Sequence, residues 1–321
     1  MVAPNETLSG WVPMELRRGN RQVAWIRLDE RGLTDPFFQQ TVRRLGTPGS
    51  ENIRQTNVET MMTVGEDIIP NGFIFHISRC GSTLLANALR AYPGSVVVSE
   101  ARPISQVLSR ILEPAARDGT SQHERLLVGV VRSYGQLNKF PNSSVTFKLT
   151  SWNLLHIATF RKLWPHVPCL ILIRDPLEVA VSCLKERPGW LRNSQEMAKR
   201  ASRQLGGTEE EICARMLGLF FEVAVEQCDA LCRIVDYHDL SVHVIEEIAN
   251  WLRVGSSAQA APANLSSVLS IYSKDSSKHR AFISDAEEKR ELASSSLRQA
   301  IDRLARPAYE VLLERSLCQN G

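Results

Sequence analysis

Short apolar runs and longer amphipathic stretches alternate along this chain, and the alternation predicts strands each followed by a helix. The run Phe73 to Ile77 reads as a buried strand; Ser78-Arg79-Cys80-Gly81-Ser82-Thr83 then turns the chain into a Leu/Ala helix reaching Leu89. Val96-Val97-Val98 forms the next short strand, ending in Ser99-Glu100-Ala101-Arg102-Pro103, with helices predicted over about 103–117 and 122–138. Ser144 to Leu149 reads as a strand with Lys148 near its end, and a helix follows from about Trp152 to Leu163. Cys169-Leu170-Ile171-Leu172-Ile173 is the most apolar run and the best candidate for a central strand. It ends in Arg174, after which Asp175 and Pro176 form an N-cap and first-position pair for a helix to about Lys185.

Residues 188–207 are basic and irregular, which suggests a solvated lid. Beyond them the pattern predicts a helix from about Thr208 to Ala230, a strand Cys232 to Val235, an amphipathic helix Val242 to Leu252, a surface loop over 255–263, and a last helix from about Asp285 to Arg315. Residues 1–70 stand apart: a strand Gln22 to Leu28, a turn at Asp35-Pro36-Phe37-Phe38, a short helix Phe37 to Leu45, and a polar, poorly patterned stretch 50–64. Repeated strand–helix units predict an α/β fold, an open parallel sheet flanked by helices over 71–321, with an N-terminal extension over 1–70. The extension carries no nameable chemistry; a packing role, a homo-oligomer contact and a wall of the acceptor site all remain open.

Composition narrows the partners. A net charge of +3 without any Lys/Arg run beside stacked aromatics excludes an extended nucleic-acid surface and leaves a local basic pocket for an anionic small molecule. Seven cysteines form an odd count with no CxxC pair, so reduced thiols are expected rather than a disulfide framework or zinc ribbon, and the histidines lack metal-ligand spacing. The start of the chain has neither the basic nor the apolar region of a signal, and no apolar run has membrane length; a cytoplasmic protein with no membrane span is the expectation.

The chemistry concentrates at strand-to-helix junctions. First-turn amides have no intrahelical partner, so a junction of this kind favours an anion. Gly81 permits close approach, Ser82 and Thr83 add hydroxyl donors, and Arg79 adds a planar cation that can hold two oxygens. In the GxxxxGK[ST] loop of nucleotide-hydrolysing enzymes a lysine precedes the final hydroxyl, whereas here Gly81 precedes Ser82. If the strands are parallel, Glu100 faces the same crevice as the Arg79 loop. Taken singly, Glu100 reads as a helix N-terminal carboxylate, Lys148 as a solvated strand end, Arg174-Asp175 as a local ion pair, Ser182 as an ordinary helix serine and Tyr237 as an amphipathic tyrosine. His76 reads as a core histidine, and Cys80, beside Arg79 at a helix N-terminus, as a thiol of lowered pKa.

Taken together, these residues resemble the sulfotransferases that use 3′-phosphoadenosine 5′-phosphosulfate. Ser78-Arg79-Cys80-Gly81-Ser82-Thr83-Leu84 is similar to that family's 5′-phosphosulfate loop, and Arg174-Asp175-Pro176 with Val181-Ser182 to its 3′-phosphate motif. The likeness covers about residues 72–185, and more weakly 232–283, and lies nearest the tyrosylprotein and bacterial branch, whose loop arginine and following glutamate are matched by Arg79 and Glu100. The resemblance implies that Arg79, Cys80, Gly81, Ser82, Thr83 and Leu84 hold the 5′-phosphosulfate, and that Arg174 and Ser182 hold the 3′-phosphate. It implies further that Tyr237 contacts the adenine, that Lys274, Lys278 and Arg280 lie in a nucleotide-covering loop, and that Lys148 stabilises the leaving group. In the steroid and phenol branch a histidine stands two residues after the lysine; here Thr150 does, so Glu100 is the expected base. The implied activity needs no metal and moves a sulfuryl group to a small-molecule or peptide hydroxyl, with 3′-phosphoadenosine 5′-phosphate as product. Two rivals stand beside it: an ATP-dependent small-metabolite kinase with Asp175 as magnesium ligand, and a nucleotide-binding pseudoenzyme or scaffold.

Overall fold

The computed structural model describes residues 8–17, 21–46, 51–63, 69–111, 120–135, 137, 143–200, 205–254, 262, 265–270 and 286–319. The first strands are β1 (Trp11–Arg17), β2 (Gln22–Arg27) and β3 (Ile53–Asn57), paired antiparallel in that order, with α1 (Phe38–Leu45) before β3 and α2 (Val58–Met62) after it. β1 was not foreseen, and β3 and α2 fall within the stretch 50–64 that carries little pattern. The reason is visible in β3, Ile-Arg-Gln-Thr-Asn, an edge strand with no fully buried residue.

The second sheet follows with β4 (Gly72–His76), α3 (Ser82–Arg90), β5 (Ser95–Ser99), α4 (Arg102–Ile111), α5 (Thr120–Gly135) and β6 (Ser144–Lys148). A 3-10 turn, Ser151–His156, leads into α6 (Ile157–Leu163), then β7 (Cys169–Ile173), α7 (Pro176–Lys185), α8 (Gly189–Arg192), α9 (Ser194–Arg200) and α10 (Glu209–Gln227). β8 (Cys232–Asp236), α11 (Val242–Trp251), α12 (Leu265–Ser270), α13 (Ala286–Leu292), α14 (Ser295–Leu304) and α15 (Arg306–Gln319) complete the described chain. All five strands are parallel in the order β5-β6-β4-β7-β8, which gives the α/β architecture that the pattern predicts.

Pleat alternation distributes the core. Phe73, Phe75, Phe147, Ile171 and Ile173 face one side, packed against α5, α6, α10 and the N-terminal sheet, whose Val23, Trp25 and Ile26 belong to the same apolar cluster. Ile74, Val97, Leu170, Leu172 and Val235 face the other, against Leu85 and Leu89 of α3, Ile245, Ile248 and Leu252 beyond α11's start, and Leu265 of α12. The N-terminal sheet is also tied by polar contacts: Leu16 N donates to Gln106 Oε1 at 2.8 Å, Gln106 Nε2 to Leu16 O at 3.0 Å, and Tyr134 Oη to Pro13 O at 2.5 Å.

Two sequence expectations need correction. The basic segment 188–207 is not simply a solvated lid, because α8 and α9 occupy most of it and Trp190 and Leu191 are buried, Trp190 edge-on to Phe220 at 5.3 Å. The final helix is three helices, broken where Ser294 caps α14 by accepting from Leu297 N at 3.0 Å and again at Ala305. The loop 255–263 lies almost wholly outside the described residues.

Candidate active site

The carboxyl ends of β4 and β7 lie side by side, so the turn after each meets the other. Arg174 Nη1 donates to the Arg79 carbonyl at 3.3 Å. The Arg174 guanidinium also stacks on the Tyr237 ring, 4.3 Å from its centroid, in the 3-10 turn that follows β8. Gly81, the N-cap of α3 with φ +76°, lies under that same ring: a Cβ there would stand 2.6 Å from Tyr237 Cδ2. The structure therefore brings Arg79, Gly81, Arg174 and Tyr237 together, with Cys80, Ser82, Thr83 and Leu84 buried at the start of α3.

Backbone strain marks the same place. Ser78 (φ 93°), Arg79 (φ 50°) and Glu100 (φ 56°) are three of the four non-glycine residues with left-handed φ among those described. Such conformations cost roughly 1–3 kcal/mol each and persist where the surroundings enforce them. Glu100 N continues the β5–β6 ladder by donating to Lys148 O at 2.7 Å; the left-handed turn then brings its carboxylate onto Lys148 Nζ, with which it pairs closely. Lys148 is 1 % exposed, so the solvated strand end read from sequence is wrong. Its ammonium lies over the Phe37 ring at 4.9 Å, and Phe37 comes from the N-terminal segment. Asp35 fixes that turn, accepting from Thr41 Oγ1 at 2.7 Å and Arg44 Nε at 3.0 Å.

His76 is buried, as a core histidine should be, but it borders the site: Nδ1 accepts from Ser78 N at 3.2 Å, which leaves the proton on Nε2, 3.8 Å from Glu100 Oε1. Sequence reading missed this contact because His76 sits inside a strand pattern, and it missed Phe37 because an aromatic turn residue carries no chemical signature.

Around Arg174 the partners differ from those read in sequence. Arg174 pairs not with Asp175 but with Glu178, through Nε at 2.8 Å and Nη2 at 2.7 Å to the same Oε2. Glu178 is fully buried, and its Oε1 also meets Arg290 Nη2 at 2.8 Å and His238 Nε2 at 3.7 Å. The spacing of Arg174 and Glu178 by four was the available signal. Asp175 is engaged in capping α7, with Oδ1 accepting from Leu177 N at 2.9 Å and Glu178 N at 3.2 Å, and Oδ2 facing Arg306 at 3.2 Å. Ser182 is half-buried on α7, one turn beyond Glu178; its carbonyl accepts from Glu186 N at 3.1 Å. Glu186 in turn holds Arg79, with Oε2 2.8 Å from Nη1 and the carbonyl 2.7 Å from Nη2.

Cys80 overturns its expectation. It is completely buried, its Sγ donates to Leu172 O at 3.4 Å, and burial pushes the thiol up to about 11. Lys274, Lys278 and Arg280 lie outside the described residues.

No protein-family model and no curated protein matches the chain. Among solved structures, it is similar to the sulfotransferase from Alicyclobacillus acidocaldarius at a TM-score of 0.45 and 16% identity, covering 78% of this chain and 96% of that one. The sulfotransferase domain from the curacin biosynthetic pathway gives 0.43 and 14%, covering 74% and 98% of the respective chains. The sulfotransferase domain of the Synechococcus olefin synthase gives 0.41 and 16%, covering 76% and 96%.

Proposed function

We propose that the chain transfers a sulfuryl group from 3′-phosphoadenosine 5′-phosphosulfate to the hydroxyl of a small-molecule or peptide acceptor, leaving 3′-phosphoadenosine 5′-phosphate. The observation that carries this reading is the contact between Arg174 and the Arg79 carbonyl, which sets the two motif-bearing junctions against each other. The donor set fits the nucleotide: first-turn amides of α3, two guanidiniums, a buried ammonium, and a glycine cradle closed by an aromatic ring.

When bound, the nucleotide supplies the activated sulfuryl group. Arg79, Ser82, Thr83 and the α3 amides hold its 5′ end, Arg174 and Ser182 its 3′-phosphate, and Tyr237 its base. Arg79 exchanges Glu186 for phosphosulfate oxygens, and Lys148 donates to the oxygen on which negative charge grows. Glu100 takes the acceptor proton. The contact between Glu100 and Lys148 holds both groups beside the reacting centre before the acceptor enters.

Thermal unfolding with nucleotides tests the donor. 3′-Phosphoadenosine 5′-phosphate is expected to raise the Tm without magnesium, by an amount equivalent to about 2.7 kcal/mol at a hundredfold excess over Kd. Stabilisation by ATP with magnesium, and none by the bisphosphate, would transfer the site to the kinase reading. Incubation with labelled donor and an extract of the producing cell then identifies the acceptor by mass shift; binding without transfer to any hydroxyl would leave a nucleotide-binding scaffold.

A further inference from the structure

Three cysteines unused by this chemistry converge at the opposite end of the second sheet. Cys169 opens β7 and Cys232 opens β8, and the two are directly paired in the parallel ladder. Cys228 stands at the end of α10, and Cys232 N donates to Asp229 O at 2.9 Å, closing the turn between them. The Cys228 Sγ donates to the Cys232 carbonyl at 3.6 Å, and the Cys232 thiol sits between the other two, hydrogen-bonded to both. Cys169 and Cys232 are buried, whereas Cys228 is half-buried and lines an open cavity of about 720 Å³ together with Asp229, Arg315 and Cys318.

Cations flank the cluster. Arg161 reaches the Cys169 side, where its Nη1 donates to Val167 O at 2.9 Å and its Nη2 meets Asp229 Oδ2 at 2.7 Å, and Arg315 faces Cys228. Hydrogen bonds from the Cys169 and Cys228 thiols hold Cys232 well below the ordinary thiol range against the opposing effect of burial, while the same bonds and burial raise both donors. The thiol most easily deprotonated thus lies beside the sulfur nearest solvent, where its thiolate form can accept the Cys228 proton.

We propose that Cys228 and Cys232 form a hydroperoxide-sensitive dithiol, with the cavity beside Cys228 admitting the oxidant and Cys169 holding Cys232 in place. The Cys232 thiolate takes the Cys228 proton, and the Cys228 thiolate so formed attacks hydrogen peroxide, breaking the O–O bond; Cys228 becomes a sulfenic acid, and the second oxygen leaves as hydroxide, which takes the proton back from Cys232 and departs as water. The Cys232 thiolate then attacks the sulfenic sulfur, the S–S bond forms, and hydroxide departs and is protonated by solvent. Two thiols are oxidised and one peroxide is reduced to water.

The test is peroxide treatment of the reduced full-length chain, alkylation, and peptide mapping after cleavage before Asp229, which separates the two cysteines. A dithiothreitol-reversible Cys228–Cys232 crosslink is expected. Cys228→Ser, at a half-buried position, should fold normally and slow oxidation at Cys232 by about tenfold or more, while Cys318→Ser leaves the rate unchanged. A crosslink to Cys318 or Cys169 instead, no crosslink, or an unchanged Cys232 rate in Cys228→Ser overturns the proposal. Should Cys228→Ser fail to fold, the map of the unaltered chain still decides.

Discussion

Glu100 and Arg174 carry the sharpest expectations because the proposed reaction gives each a distinct role and each has a close charged neighbour. Glu100→Gln keeps the side-chain volume at a strained backbone position, so binding of 3′-phosphoadenosine 5′-phosphate by calorimetry should be retained while kcat falls about 10²- to 10⁴-fold; near-normal turnover would remove Glu100 as base. Arg174→Ala removes a buried cation that grips Glu178 and covers Tyr237, and should weaken the bisphosphate by about 2–5 kcal/mol. An unaltered Kd would count against the 3′-phosphate assignment. Gly81→Ala places a methyl group 2.6 Å from Tyr237 Cδ2 at a left-handed φ, so it should displace the ring and depress nucleotide affinity more than thermal stability. Arg79, Glu100, Lys148, Arg174 and Tyr237 were legible because a cation, an anion or an aromatic ring at a strand end is an unusual residue in an unusual place. Glu178, Glu186 and His238 were not, since a carboxylate or imidazole in or beside a helical turn looks the same whether it is solvated or, as here, paired with a guanidinium or a carboxylate of the site.

At the level of elements, α11 is held to the sheet by one ion pair as well as by its apolar face: Arg233 Nη2 of β8 meets Glu247 Oε2 at 2.5 Å. The Arg233 hydrogen bond holds the Glu247 carboxyl below the usual carboxylate value of 4.5. A carboxylate depressed by folding stabilises the fold fully above its unfolded value and loses that contribution as the pH falls through its folded value. Thermal melts should therefore show Glu247→Gln less stable than the parent near neutrality, with the difference shrinking below about pH 4; a constant gap would mean the pair contributes nothing through charge. Strand and helix order was readable wherever a run was periodic or continuously apolar, as in β7, whose five residues are all buried. It failed where tertiary contacts rather than pattern define the element. β1 pairs with β2 and is tied to the larger sheet's helices by Gln106 and Tyr134, and α8 is a helix of four residues seated by buried Trp190.

On the scale of the whole molecule, the N-terminal sheet and the parallel sheet do not have separate apolar interiors. Trp25 is completely buried, its Nε1 donates to Thr56 Oγ1 at 2.8 Å, and it belongs to the same cluster as Phe73, Phe147 and Tyr134. That continuity links the extension to the site, because the segment that packs on α4 and α5 also presents Phe37 to the buried ammonium of Lys148. Loosening the extension should therefore destabilise the parallel sheet as well, rather than release an independent unit. Trp25→Ala opens a large cavity and should cost about 3–5 kcal/mol. Calorimetry is expected to show one transition for the parent and one, shifted lower, for the variant. Two resolved transitions, with only the first moved by the substitution, would show that the sheets unfold independently, and Phe37 would then have no rigid support from which to cover Lys148.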